Sequence, residues 1–386
     1  MTAWVTGIGC VSAAGEKCFD NFEVLKGGIP RNLSKSDTGH SVFAAPLNEN
    51  FNSNGKYSRS LDLLDQALHE ALKNAAFDGV PEDLKVGVCI GTTSASFLNN
   101  INFHRKLRNG ELDTGMLSQY RHGNPSEFIK RKLKLSGPAV TVTNACSSGT
   151  DAIGVALSWI KSGLCDIVIA GGADELHPVS NAGFYALGVM SKTLCRPFDR
   201  DRDGLSLGEG AGILILENSN SMRRRAVEPL ASVAAYGGSN DAHHIAQPDP
   251  AGRGIEKAML GAIRNACISP GDIGFINAHG TGTIHSDSAE SSAFKRIFGV
   301  CRYLSVKGCT GHTLGAAGAI EAILTIMILR KNLLPASPGF EACGQGVEIP
   351  PVTEAIEINA QYAMSTSLAF GGCNSAVIIK KESFSE

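Results

Sequence analysis

The chain has 386 residues, 43% of them hydrophobic and 19% charged, with a formal net charge of −2. That length holds two domains or one large duplicated one, with a sizeable core. The near-neutral balance excludes the electrostatic footprint of a nucleic-acid binder. The eleven cysteines include no C-x-x-C pair, which excludes a structural zinc site or disulfide framework and points to a reducing cytoplasm.

The chain opens on a strand-like run, Ala3-Trp4-Val5-Thr6, with no basic-then-apolar leader, so no secretory signal is expected. Gly7-Ile8-Gly9 follows, but without the third glycine of a dinucleotide turn. Leu61, Leu64, Leu68, Ala71, Leu72 and Ala75 mark one helical stripe, and Val86 to Ile90 a strand. Phe51–Ser58 and Arg105–Arg131 are weakly patterned and read as loop-rich. After Val142, the apolar positions Gly149, Ala152, Ile153, Ala156, Leu157 and Ile160 predict a buried helix, and Asp166–Ala170 the next strand. In the second half Ile255, Ala258, Met259, Ala262, Ile263 and Ala266 form another stripe, followed by the strand Phe275–Ala278. A buried helix is expected over Leu314–Leu329. Its apolar stretch contains Glu321 and is too short to span a bilayer, so no membrane span is expected.

This alternation predicts an α/β protein with covered sheets. It also repeats. Each half carries a functional turn, a buried helix, and later a Gly-rich segment entering a strand: Leu207–Gly212 into Ile213–Leu216, and Ala369–Gly372 into Ala376–Ile379. The polar stretch Ser219–Glu228 reads as the seam, giving halves 1–218 and 227–386.

Three segments carry chemistry. In Val142-Thr143-Asn144-Ala145-Cys146-Ser147-Ser148-Gly149 a strand stops and a helix begins, with the thiol at its first turn. Free N–H groups and the positive dipole end there favour a thiolate, so Cys146 is expected to be nucleophilic near neutral pH. Taken alone, the segment suits a packed core cysteine as well. Two histidine motifs decide the matter. His279 opens His279-Gly280-Thr281-Gly282-Thr283 after a strand. His312 lies in Lys307-Gly308-Cys309-Thr310-Gly311-His312-Thr313-Leu314-Gly315. Both sit on Gly-rich strand-to-helix turns, where backbone approaches a ligand closely and leaves donors pointing outward.

In these motifs the chain resembles the β-ketoacyl-acyl carrier protein synthases of the KAS I/II type, in the thiolase superfamily. N-A-C-S-S-G, R-P-F-D-x-x-R-D-G, N-A-H-G-T-x-T, K-x-x-T-G-H-x-L-G-A-A-G and F-G-G-x-N occur in the family's order, nearly end to end. The resemblance implies a thiolase fold, duplicated in five layers α-β-α-β-α, and a dimer. It implies a decarboxylative Claisen condensation with Cys146 as nucleophile and His279 and His312 as enolate donors. Lys307 and Glu321 are implied as a charge-balancing pair beside the second histidine. The N–H groups of Cys146 and Phe370 would form the oxyanion hole, with Phe370 also the gate; Thr281 and Thr283 would bind pantetheine. No cofactor or metal is implied, since substrates ride on the phosphopantetheine of an acyl carrier protein. Arg202, Arg59 and Arg121 are the expected carrier-docking residues. The chain also resembles ketosynthases of type II polyketide and aryl-polyene pathways, so a heterodimer with a chain-length-factor-like homologue stands beside a homodimer. A non-decarboxylating thiolase, using Cys373 or Cys309 as base, and a non-catalytic partner subunit are the alternatives.

The chain departs from the family pattern at Ala369 (usually Gly), Gly282, Gly308 and Cys373 (usually Thr). A positive φ at Ala369 would stiffen the gate loop at a cost of about 1 kcal/mol. Asp199, Asp201, Asp203, Gly204 and Glu209 mimic a calcium loop, but the glutamate falls one position short. His243-His244 lacks a third ligand at metal spacing.

Overall fold

The computed structural model describes residues 2–27, 32–54, 57–77, 79, 84–94, 101–111 and 124–382. Among the described residues ten strands form one mixed sheet. The first half contributes β1 (Ala3–Ser12), β2 (Val86–Gly91), β3 (Ala139–Val142), β4 (Ile167–Asp174) and β5 (Gly210–Glu217). The second contributes β6 (Ala231–Asn240), β7 (Ile273–Asn277), β8 (Tyr303–Leu304), β9 (Tyr362–Leu368) and β10 (Cys373–Lys380). Their spatial order is β8-β7-β9-β10-β6-β1-β5-β4-β2-β3. Each strand of one half therefore has its counterpart five places on. In both halves the outer pairings are parallel and the inner ones antiparallel. The halves join through a short antiparallel contact of Ala3, Trp4 and Val5 with Val233, Ser232 and Ala231.

Helices cover both faces of each half-sheet, as near-continuous apolar strands require. α1 (Arg59–Asn74) packs on β1 and β5, and α4 (Arg253–Ala266) on β6 and β10. Between the half-sheets lie α2 (Ser148–Lys161) and α6 (Ala317–Lys331). The result is the α-β-α-β-α thiolase-type layering, with one core between the half-sheets and one beneath each outer helix. α1 starts where the Ser58 side chain accepts from the Leu61 N–H, and it buries the stripe Leu61, Leu64, Leu68 and Ala71. Two further helices border the site: α3 (Pro178–Ala186) and α5 (Ile284–Phe298).

The central helices touch because glycines face each other. A Cβ on Gly318 would fall 1.9 Å from Thr150 Oγ1, and one on Gly149 2.7 Å from the Gly315 carbonyl oxygen. The segment expected to be loop-rich is partly helical, over Ile101–Arg108 and Pro125–Lys132. The second of these is capped by Asn124, with proline in its first turn; these local signals outweigh its weak apolar pattern. No helix among the described residues is long and apolar enough to cross a membrane.

Candidate active site

Cys146 follows β3 on a strained turn: Ala145, just before it, has φ +50°, in a region costing an L-residue about 1 kcal/mol. The surroundings hold it there. Asp151, one turn into α2, accepts hydrogen bonds from Asn144 Nδ2 (2.6 Å), Ser147 Oγ (2.8 Å), Tyr236 Oη (2.8 Å) and Ser375 Oγ. The first two donors belong to the Cys146 turn and the last two to the second half. A single carboxylate thus clamps the turn against both repeats.

The three expected side chains converge. His312 Nε2 lies 3.0 Å from Cys146 Sγ, and the rings of His312 and His279 meet edge to face with centroids 5.2 Å apart. All three are buried. His312 is pinned to the first half, donating its N–H to the Ser206 carbonyl (2.8 Å) and accepting the Gly208 N–H (2.9 Å). Its Nδ1 meets no hydrogen-bond partner among the described residues. His279 is held differently. Lys307 Nζ donates to the His279 carbonyl (2.5 Å), lies 3.3 Å from His279 Nδ1, and pairs with Glu321. The Lys307–Glu321 pair therefore sits beside the first histidine, correcting the expectation that it supports His312.

Burial and charge set the protonation states. Burial, then the Lys307 ammonium and the neighbouring His312, push His279 well below the ordinary imidazole value. Burial and Lys307 do the same to His312. Both rings are neutral at pH 7. Burial also pushes the Cys146 thiol up to about 12, against the opposing pull of Lys307 and of the Phe370 N–H. This reverses the expectation of a resting thiolate. Desolvation of a buried sulfur outweighs the helix end, so the resting group is a thiol facing a neutral imidazole.

Cys146, His279 and His312 line one cavity. Phe184, Val189, Leu205, Leu368 and Phe370 are among its apolar lining, and Thr281, Thr283, His285 and Ser286 among its polar lining. The Phe370 ring stacks on Phe184 of α3 at 5.4 Å, and its backbone N–H points at the Cys146 sulfur. The Thr281 and Thr283 hydroxyls bond each other at 2.9 Å. Ala369 has φ −128°, an ordinary extended value. The expected strain there is absent, because the left-handed positions of this loop are Gly371 (φ 81°) and Gly372 (φ 75°).

Three buried carboxylates escaped the sequence reading. Glu290 accepts the N–H groups of His279 and Gly280, both at 2.9 Å, and the Thr366 hydroxyl at 2.7 Å. Asp287, one turn earlier on α5, accepts the N–H groups of Thr281 (3.0 Å), Gly282 (3.2 Å) and Phe198 (2.7 Å). Together they shape the His279–Thr283 turn; their signal is the i, i+3 pair of acids just after H-G-T-G-T. Asp174, ending β4, joins the Thr92 hydroxyl and Thr93 N–H to the Gly315 N–H that follows His312.

The docking expectation does not survive for Arg202. Its side chain is 1% exposed, donates to the Asp199 and Gln345 carbonyls, and faces Asp287 at 3.5 Å. A guanidinium spent on internal partners is not offered to a docking protein. Arg59 is partly exposed but is paired with Glu209 at 2.6 Å. Arg121 lies outside the described residues. Asp199 of the acidic run accepts the N–H groups of Asp201, Glu341 and Ala342, closing a turn. Among the described residues no group of three or more His, Cys, Asp or Glu side chains is placed to hold a metal ion.

The family described as "Beta-ketoacyl synthase, N-terminal domain" matches residues 43–221, and "Beta-ketoacyl synthase, C-terminal domain" matches residues 230–341. A 3-oxoacyl-[acyl-carrier-protein] synthase 2 of Staphylococcus aureus (strain COL) is 34% identical over 416 aligned positions, covering 98% of this chain and 97% of the relative. Among solved structures, the ishigamide ketosynthase/chain length factor superposes with a TM-score of 0.91 at 29% identity, covering 99% of both chains. A β-ketoacyl synthase from Burkholderia phymatum STM815 gives 0.89 at 30% identity, covering 99% of this chain and all of the other (100%).

Proposed function

The chain belongs to the β-ketoacyl synthase family and is a 3-oxoacyl-[acyl-carrier-protein] synthase, an acyltransferase; within that activity we propose that Cys146 carries the acyl group and that His279 and His312 hold the enolate. The observation behind this reading is the 3.0 Å approach of His312 Nε2 to Cys146 Sγ in a cavity that His279 also lines.

In the first step the Cys146 sulfur attacks the thioester carbonyl of the incoming acyl group. Because the thiol rests protonated, His312 Nε2 takes its proton as the S–C bond forms and returns it to the departing pantetheine sulfur. The unpartnered Nδ1 of His312 leaves either tautomer open, which this double duty requires. The carbonyl oxygen turns towards the N–H groups of Cys146 and Phe370, the second of which already faces the sulfur.

In the second step the malonyl C–C bond breaks, CO₂ leaves, and its electron pair forms an enolate. His279 and His312 donate from Nε2 to that oxygen; each well-placed donor of this kind contributes roughly 3 kcal/mol. The enolate carbon attacks the acyl carbonyl, the S–C bond breaks, and the released thiolate takes a proton from His312 Nε2, which solvent restores to the ring; one proton is consumed for each CO₂ released. Neutral imidazoles suit this task, since a donor is needed and a strong base is not. The Thr281 and Thr283 hydroxyls, beside both histidines, are the proposed pantetheine contacts.

The acyl carrier is an acyl carrier protein, and the proposed assembly is a dimer, either of identical chains or with a chain-length-factor-like homologue. The eleven cysteines are all free, which supports a cytoplasmic setting. Incubation with a radiolabelled acyl carrier protein, followed by denaturation, tests the nucleophile. One adduct on Cys146 is expected and none in Cys146→Ala; label retained in that variant refutes the assignment. Native mass of the purified chain reads the assembly.

A further inference from the structure

The gate loop and the nucleophile turn are joined by one side chain outside the triad. Cys373 opens β10, directly after the loop. Its carbonyl accepts the Ala369 N–H at 2.7 Å, closing the loop around Phe370, Gly371 and Gly372. Its thiol turns the other way and donates to Asn144 Oδ1 at 3.0 Å. The other end of that amide is taken, since Asn144 Nδ2 donates to Asp151 Oδ2 at 2.6 Å. Asn240 braces the same junction, donating to the Gly371 carbonyl at 2.9 Å and reaching the Cys373 sulfur at 3.5 Å.

The two ends of this bridge matter for one reason. Asn144 is two residues before Cys146, and Ala369 is one before Phe370. The loop carrying one oxyanion-hole N–H is thereby tied to the turn carrying the other. We propose that Cys373 is a positioning residue that sets the spacing of the Cys146 and Phe370 N–H donors through its S–H···O bond to Asn144. The proposal rests on the acyl-enzyme reading above and extends it to a residue that touches no substrate. An S–H is a weak donor, but the donor spacing it governs tolerates little error: a misplacement of about 1 Å can cost as much as 10²-fold. The enolate donors are imidazoles held by Lys307 and by Ser206 and Gly208, outside this bridge. Acyl transfer and decarboxylation should therefore respond differently to its loss.

The test compares Cys373→Thr, Cys373→Val and Cys373→Ala in the full chain, using acyl-pantetheine and malonyl-pantetheine as probes. Thr and Val have the same shape, and only Thr can donate. Cys373→Thr is expected to keep the parent rate of Cys146 acylation. Cys373→Val and Cys373→Ala should lose about tenfold in its kcat with KM unchanged, less than the 10²–10³ for removing a donor outright. Malonyl decarboxylation should stay within about twofold of the parent in all three. Equal acylation by the Thr and Val variants would overturn the proposal, as would a parallel fall of both partial reactions. Thermal unfolding midpoints show whether a variant is folded. Absence of acylation in the parent would instead sink the acyl-enzyme reading itself, so the two failures are distinguishable.

Discussion

Lys307 Nζ lies 3.3 Å from His279 Nδ1, and that contact decides which nitrogen of the imidazole carries the proton. An ammonium only donates, so Nδ1 accepts and Nε2 bears the hydrogen. Lys307 thus fixes the tautomer that an enolate-binding donor needs, while burial, reinforced by its charge, keeps the ring neutral. Lys307→Met should slow malonyl decarboxylation by about 10²–10³. The variant should also unfold more easily, because Glu321 loses its partner; breaking a buried pair costs about 3–5 kcal/mol. The double variant Lys307→Met/Glu321→Gln separates the effects: it should recover thermal stability and leave decarboxylation slow. Recovery of both would mean that the lysine serves only the fold.

A second expectation concerns the state of the nucleophile. With its thiol pushed up to about 12 by burial, Cys146 holds little thiolate at neutral pH. Its alkylation by iodoacetamide should accelerate nearly tenfold for each unit between about pH 7 and 9, without a plateau. A thiolate stabilised by the helix end would instead level off near pH 7. Mass spectrometry restricted to the Cys146 peptide makes the measurement unambiguous among eleven cysteines.

The contrast between these groups and Arg202 shows how far the sequence could be read. The Cys146 turn was legible because a β-branched strand stops at a run of small residues that must turn sharply. The two histidine turns were legible from their glycines, which admit the positive φ found at Gly280, Gly282 and Gly311. Arg202, in a run with Asp199, Asp201 and Asp203, is expected to dock a carrier protein only through the family resemblance. Its burial depends on the Gln345 carbonyl and on Asp287, both distant in the chain. The family resemblance sets Lys307 beside His312, which lies five positions on in the same motif. The fold instead crosses it under His279, whose carbonyl and ring lie within its reach. Spacing within a motif carries local geometry; pairings between motifs come from packing of the two half-sheets.

Asp287 allows a test of the His279–Thr283 turn through stability. Burial raises its carboxyl from 3.8 to about 7, against the pull of the Phe198 N–H and of Arg202. The folded state therefore holds this proton more tightly than the unfolded chain. The stability so contributed is fully present below about pH 4 and is lost as pH rises towards 7. Asp287→Asn removes that titration. The difference in unfolding midpoint between parent and variant should shrink steadily across this range. A difference that stays constant across this range would mean that the carboxylate is charged throughout and held by its N–H donors.

The stacked pair Phe184 and Phe370 yields an expectation about substrate range. Phe370 turns its backbone N–H to Cys146, its ring rests on Phe184 at 5.4 Å, and Val189 and Leu205 line the same cavity. If the ring is the gate proposed for it, a long acyl chain has to displace it. Aromatic pairs of this kind contribute about 0.5–1.5 kcal/mol beyond their burial. Removing the partner in Phe184→Ala should therefore ease opening by about two- to tenfold. The gain should fall on long primers, which need the ring to move, and not on acetyl, which does not. Ratios of kcat/KM for dodecanoyl and acetyl carrier proteins read this directly. An equal change for both primers would mean that Phe184 shapes the cavity without holding the gate. A fall for the long primer alone would mean that its own ring is part of the surface the chain binds.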